Sequence, residues 1–190
     1  TFLFLFSGSV YGDDFQDGVD ATKRGDYETA YRLWLPLAEQ GDADVQNFLG
    51  HLYSRGQGVR QDYQEAVKWY RIAAEQGIVE AQGILGQKYK DGQGVLQNYK
   101  EAVKWWKLAA ENGDAISQGK LGLMYNNGQG VQQDYREAVR LYILAAEQGF
   151  APAQNLLGKM YDKGQGVLQN YVLAHMWLNI CGSSGNQNCV

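Results

Sequence analysis

The chain repeats itself every 36 residues, and no other property of the sequence restricts its fold so tightly. Leu49-Gly50 returns as Leu85-Gly86, Leu121-Gly122 and Leu157-Gly158. Tyr53 returns as Tyr89, Tyr125 and Tyr161, and Gly56-Gln57-Gly58-Val59 returns letter for letter at 92–95, 128–131 and 164–167. Tyr63, Tyr99, Tyr135 and Tyr171 follow, then Ala66, Ala102, Ala138 and Ala174. Four copies in register describe one supersecondary unit used in series. Such a unit buries its apolar face only by stacking on its neighbours.

Each copy reads as two helices. Val45, Leu49, Leu52 and Tyr53 make an i, i+4, i+7, i+8 stripe and predict a first helix over 42–54. The Gly-Gln-Gly-Val loop breaks it. A second helix starts at Asp62, where Asp62 and Glu65 have capping-box spacing, one accepting from the amide three residues on and the other reaching back. Asn98 with Glu101 and Asp134 with Glu137 repeat the arrangement. Tyr63, Ala66, Val67, Tyr70, Ala73 and Ala74 form its buried stripe, with alanines that let neighbouring helices approach closely. Gly77, Gly113, Gly149 and Gly185 fall where a left-handed residue ends a helix. Residues 13–41 hold a degenerate first pair, in which Gly25-Asp26-Tyr27 and Leu37 to Gly41 align with the repeat but the inter-helix loop is four residues shorter. The expected fold is all-α, a right-handed α-α superhelix (solenoid) of about five helix pairs: 14–41, 42–77, 78–113, 114–149 and 150–185. Residues 186–190 then begin a further first helix.

The motif Ala-x-x-x-Leu-Gly-x-x-Tyr-x-x-Gly-x-Gly-Val, followed by Asp-Tyr-x-Glu-Ala and Trp-Tyr-x-x-Ala-Ala-Glu-Gln-Gly, resembles the Sel1-like repeat of the tetratricopeptide-like superfamily. It is fullest at Val45–Gly77 and Ala81–Gly113, and the resemblance covers residues 26–185. Copy five departs from it, with Leu173 in place of the capping Glu and Cys181-Gly182 where other copies have Ala-Ala. The resemblance implies a non-catalytic scaffold that binds a protein or peptide partner. The resemblance also admits a second reading, recognition of cell-wall fragments or small ligands with at most weak activity on penicillin-like substrates.

Two features bear on compartment. Residues 1–12 read as aromatic and aliphatic, then small, and resemble the tail of a secretory signal peptide; the alternative is a tail packed on the first helix pair. Cys181 and Cys189 are the only cysteines. Cys181 holds the slot of Ala73, Ala109 and Ala145, and Cys189 that of Val45, Ala81 and Ser117. The residues alone leave either two free thiols or a disulfide. Resemblance to the Helicobacter cysteine-rich proteins, a disulfide-bearing branch of the Sel1-like group, implies the disulfide. Together these lead to the expectation of an exported protein, periplasmic or secreted.

Chemistry is sparse. The formal charge of −4 lacks the basic footprint of a nucleic-acid binder, and no apolar run approaches the roughly 18 residues of a membrane span. His51 and His175 are the only histidines; His51 stands at a variable slot and His175 at the Val67 slot, where packing within the repeat is expected. No His-Glu-x-x-His, Gly-x-Ser-x-Gly or Walker sequence is present, so no catalytic residue, metal or cofactor is assigned. The Glu65, Glu101, Glu137 and Lys68, Lys104, Arg140 ladders read as exposed i, i+3 pairs. Trp69, Trp105 and Trp177, with Leu141 as fourth occupant of their slot, read as packing between repeats. A partner is expected where the framework repeats but the letters vary, on the first helices. The residues are Asn47, His51 and Arg55, then Gln87 and Asp91, Leu123 and Asn127, and Lys159 and Lys163, a mixed polar groove on the concave side.

Overall fold

The computed structural model describes residues 10–183. Among them are α1 (Val10–Lys23), α2 (Tyr27–Glu39), α3 (Ala43–Arg55), α4 (Tyr63–Glu75), α5 (Val79–Asp91), α6 (Tyr99–Glu111), α7 (Ala115–Asn127), α8 (Tyr135–Glu147), α9 (Ala151–Lys163) and α10 (Tyr171–Ser183), and no strand. The protein is an all-α solenoid in which odd-numbered helices are the first, and even-numbered helices the second, of each pair. Residues 24–26 join α1 to α2 where 56–62 join α3 to α4, the shorter loop expected of the first pair. The helices fall into two compact units, one holding α1–α5 and ending at Leu96, the other holding α6–α10 and starting at Gln97.

The second helices begin by one half of the expected cap. Asp62 Oδ1 accepts from the amides of Gln64 and Glu65 at 2.8 and 3.0 Å. Asn98 and Asp134 do the same. The reciprocal half is absent, because the cap residue's own amide is already committed: Asp62 N donates to Tyr53 O at 3.0 Å, Asp134 N to Tyr125 O at 3.0 Å and Asn170 N to Tyr161 O at 2.9 Å. Glu65 instead takes Lys68 at 2.6 Å, and Glu137 takes Arg140. Leu173 therefore forgoes a surface pair and not a cap, and its amide still reaches Asn170 Oδ1 at 3.0 Å.

The second helices end in Schellman turns. Gly77 sits at φ 98°, with its amide on Ala74 O at 3.1 Å and that of Ile78 on Ala73 O at 3.1 Å. The same two bonds close α2, α6 and α8. Gly185, the fourth glycine of that set, lies outside the described residues.

Within the first unit, Trp34, Leu37, Val45, Leu49 and Leu52 form a buried cluster with Trp69 packed against it. In the second, Tyr142, Leu157 and Met160 form another, and Trp177 packs there. The tryptophans are thus packing residues, as expected. The two helices of a pair meet at the Leu-Gly glycine: a Cβ at Gly50 would stand 2.6 Å from the Tyr70 ring, and one at Gly122 would stand 2.8 Å from the Tyr142 ring. His175 departs from expectation. It is exposed on α10, because no described element packs on that side of the helix.

Consecutive repeats are joined by two devices. Gln46, Gln82, Gln118 and Gln154, spaced by the repeat and almost wholly buried, donate to the carbonyls of Ala38, Ala74, Ala110 and Ala146 at 2.9, 3.1, 3.2 and 3.0 Å. These carbonyls end the preceding second helix, so each glutamine fastens one repeat to the last. The second device is the latter glycine of each Gly-Gln-Gly-Val loop. It lies on the first turn of the preceding second helix, so close that a Cβ at Gly94 would meet Tyr63 O at 2.2 Å. The glutamine column was readable as four identical letters in register, yet polarity hid it, since glutamine is seldom this deeply buried.

α1 begins at Val10, within the segment expected to be a leader, and residues 1–9 of that segment lie outside the described residues. No described helix is long and apolar enough to cross a membrane.

Candidate functional site

The first unit contains a cleft of about 480 Å³. It lies on the side of the first helices and draws Thr22 and Lys23 from α1, Phe48, His51 and Arg55 from α3, and Glu80 from α5. Its floor is aromatic. Trp34 and Phe48 stack with centroids 5.1 Å apart and planes 24° from parallel, and Trp34 is held in place by its indole N–H on Phe15 O at 3.3 Å. Its rim carries Lys23, Arg55 and Glu80. Lys23 is engaged by Asp20 at 2.8 Å, whereas the exposed Arg55 has no bond to a described residue.

Glu80 organises the rim. Its two oxygens accept from Asn47 Nδ2 at 2.9 Å and meet His51 Nε2 at 3.2 Å, tying α3 to α5. His51 also stands edge-on to the Tyr70 ring, with centroids 5.3 Å apart. Burial holds its imidazole below the ordinary value of 6.5; the Glu80 carboxylate opposes that shift and Arg55 adds to it. His51 is therefore a neutral hydrogen-bonding group near pH 7, and Arg55 carries the cleft's uncommitted positive charge.

The residues expected to face a partner divide into three groups. His51 and Arg55 come together in the cleft. Asn47 is 3% exposed and used internally. Its slot belongs to the joint between first helices and not to an open groove, as Gly119 in the same slot shows: a Cβ there would meet the Phe150 ring at 2.5 Å. The remaining residues are at or near the surface but do not converge. Gln87 donates to Asp91 at 2.6 Å along α5. In the second unit, Leu123 is half-buried and Asn127 is exposed, accepting from Asn126 at 2.8 Å. Lys159 and Lys163 are exposed, one turn apart on α9.

Sequence reasoning missed Lys23, Phe48, Trp34 and Glu80. The register singles out what recurs, and the slot of Glu80 holds Asp44, Ile116 and Pro152 in the other copies, which carry no common signal. Cys181 is fully buried, with Sγ 3.2 Å from Ala151 O, so the alanine slot accepts it. Cys189, its expected partner, lies outside the described residues. No cluster of three metal-ligating side chains occurs among the described residues.

Comparison with known proteins places this geometry. The Sel1 repeat family model matches five times, at residues 11–42, 43–78, 79–114, 115–150 and 151–181. A protective antigen of uropathogenic Escherichia coli with the SLR fold superposes with a TM-score of 0.90 at 32% identity. That match covers 94% of this chain but only 39% of the antigen, so the chain spans well under half of that relative. A Sel1 repeat protein of Oxalobacter formigenes gives a TM-score of 0.86 at 35% identity, covering 92% of this chain and 72% of that one. The cysteine-rich protein B of Helicobacter pylori, at 22% identity, 68% and 92% coverage and a TM-score of 0.54, shares the fold. A comparison with curated proteins finds no match.

Proposed function

Because the chain belongs to the Sel1 repeat family, whose members bind protein partners, we propose that it is a non-catalytic scaffold recognising a peptide segment along its first helices, with the cleft around His51 and Arg55 as the principal contact. The observation that carries this reading is the pairing of the Trp34–Phe48 floor with the uncommitted Arg55 at the rim. A bulky apolar residue has a floor to bury against, and a neighbouring acidic side chain has a guanidinium to meet. In the same proposal the protein is exported, residues 1–12 being the end of a leader, and Cys181 pairs with Cys189 to close the last repeat. The Gln87, Asp91, Leu123, Asn127, Lys159 and Lys163 surfaces serve as secondary contacts.

The test is partner capture from envelope extract by the immobilised chain, compared with the His51→Ala/Arg55→Ala double variant. Loss of one charge-assisted contact, on the order of 1.5–3 kcal/mol, reduces affinity about tenfold or more. Capture should fall accordingly while helical circular dichroism stays unchanged. Equal capture by the variant removes the cleft from the proposal. Stabilisation by muropeptides in a thermal-shift assay, with no captured protein, points instead to cell-wall fragments. Intact mass with and without reductant reads the cysteine pairing.

A further inference from the structure

One slot of the second helices is aromatic in every regular copy but one. Trp69, Trp105 and Trp177 share a slot, and the fourth occupant is Leu141. Trp69 packs against the first unit's cluster, which holds Leu37, Leu49 and Leu52, and Trp177 against the second unit's, which holds Leu157 and Met160. Leu141 is itself buried at 2% exposure, but it is smaller than an indole, and beside it lies a cavity of about 320 Å³ between α6 and α8 with α7 as its floor. Leu121, Leu141 and Leu144 provide its apolar wall.

The polar groups at this cavity are also unusual. Arg71 and Tyr89 in the first unit bond to each other at 2.5 Å. Their counterparts one repeat on are Lys107 and Tyr125, which both line the cavity and whose side chains bond to no described residue. Glu111, also lining it, is likewise without a partner. The remaining charges cancel, since Arg140 holds Glu137 through two bonds of 2.8 and 2.6 Å. The cavity therefore combines a partly apolar space with an ammonium, a phenol and a carboxylate at its edge, the ammonium and the carboxylate exposed, none of them bonded to another described side chain. A carbonyl matches the first two and an amide N–H the third.

We propose that this cavity is a second binding site, which receives a tryptophan or phenylalanine side chain of a partner peptide in the position left open by Leu141. The peptide's carbonyl accepts from Lys107 or Tyr125 and its amide donates to Glu111. The volume is at the small end of ligand sites, suited to one ring and not to a cofactor. The site is on the second helices and does not depend on the cleft around His51.

The experiment is a methyl-resolved NMR titration of the full chain with N-acetyl-tryptophanamide, with bare indole and N-acetyl-alaninamide alongside. Saturable shifts of the Leu121, Leu141 and Leu144 methyls are expected, with the capped amide binding severalfold more tightly than indole. Leu141→Trp, which supplies the ring from within, should weaken binding at least tenfold without lowering Tm. Lys107→Ala/Tyr125→Phe, which leaves the core untouched, should weaken the capped amide severalfold toward the affinity of indole, and adding Glu111→Ala should bring the two level. His51→Ala/Arg55→Ala should change nothing at these methyls. No saturable shift in the wild type, or shifts confined to Leu52 at the other cleft, overturns the site. Equal binding of indole and the capped amide overturns its assignment to a peptide.

Discussion

Gly130→Ala and Gly149→Ala separate the cost of a left-handed backbone from the cost of a blocked joint. Both glycines lie in the second unit at positive φ, 73° and 86°. An alanine in that conformation costs about 1–2 kcal/mol at either place. At Gly149 the new methyl has nothing within 4 Å, so the cost ends there. At Gly130 it stands 2.4 Å from Tyr99 O and 2.5 Å from Tyr99 C, backbone atoms that no rotamer change can move aside. The loop must lift from α6, a form of overpacking that adds about 1–3 kcal/mol. Urea unfolding followed by circular dichroism should therefore find Gly149→Ala down by about 1–2 kcal/mol and Gly130→Ala by about 2–5 kcal/mol. The comparison of midpoints holds even where a repeat array departs from a single cooperative transition, because both changes fall in one unit. Equal losses would refute the argument that the latter loop glycine is there for close approach.

Three more outcomes follow from the contacts. Asp134→Ala removes the acceptor of two amides and should cost about 1 kcal/mol, whereas Glu137→Ala loses only an exposed pair and should cost a few tenths, measured by the same unfolding curves. Lys88 is 9% exposed, hydrogen-bonded to neutral Ser54 and Gln93 with its ammonium 4.9 Å from the Tyr63 ring centre, and stands in a slot that is Leu52, Met124 and Met160 elsewhere. Burial holds its amine below 10.5, so Lys88→Met should stabilise by about 1 kcal/mol at pH 7, an advantage that shrinks as rising pH neutralises the folded lysine before the unfolded one. His51, with a folded value below 6.5, makes the neutral form the native one; stability is full above pH 6.5 and declines as the pH falls from there through the lower folded value, and His51→Gln should flatten that decline in pH-dependent thermal melts.

The framework was legible because it recurs. Loop glycines, cap residues, alanine stripes and the tryptophan slot each stand at one position in several copies, and each does the same work wherever it is described. Legibility failed where the answer depends on a neighbour in space. Glu65 has the spacing of a capping residue, but the carbonyl of Tyr53 claims the amide first. His175 shares a slot with Val67 but not its surroundings. Asn47 looked like a groove residue because its slot varies, yet that variation reflects how closely two first helices meet. The cleft itself draws on α1 and α5, whose contributions no period announces.

The joints carry a consequence for how such a chain changes length. Gln46 and its three counterparts grip the helix before them through the same amide, and the latter loop glycine rests on the same first turn each time. A stretch of thirty-six residues gained or lost in phase would meet an identical glutamine and an identical glycine at both seams. The array can thus grow or shrink in one genetic step without inventing a new interface, while the side chains that single out a partner travel with whichever copy bears them.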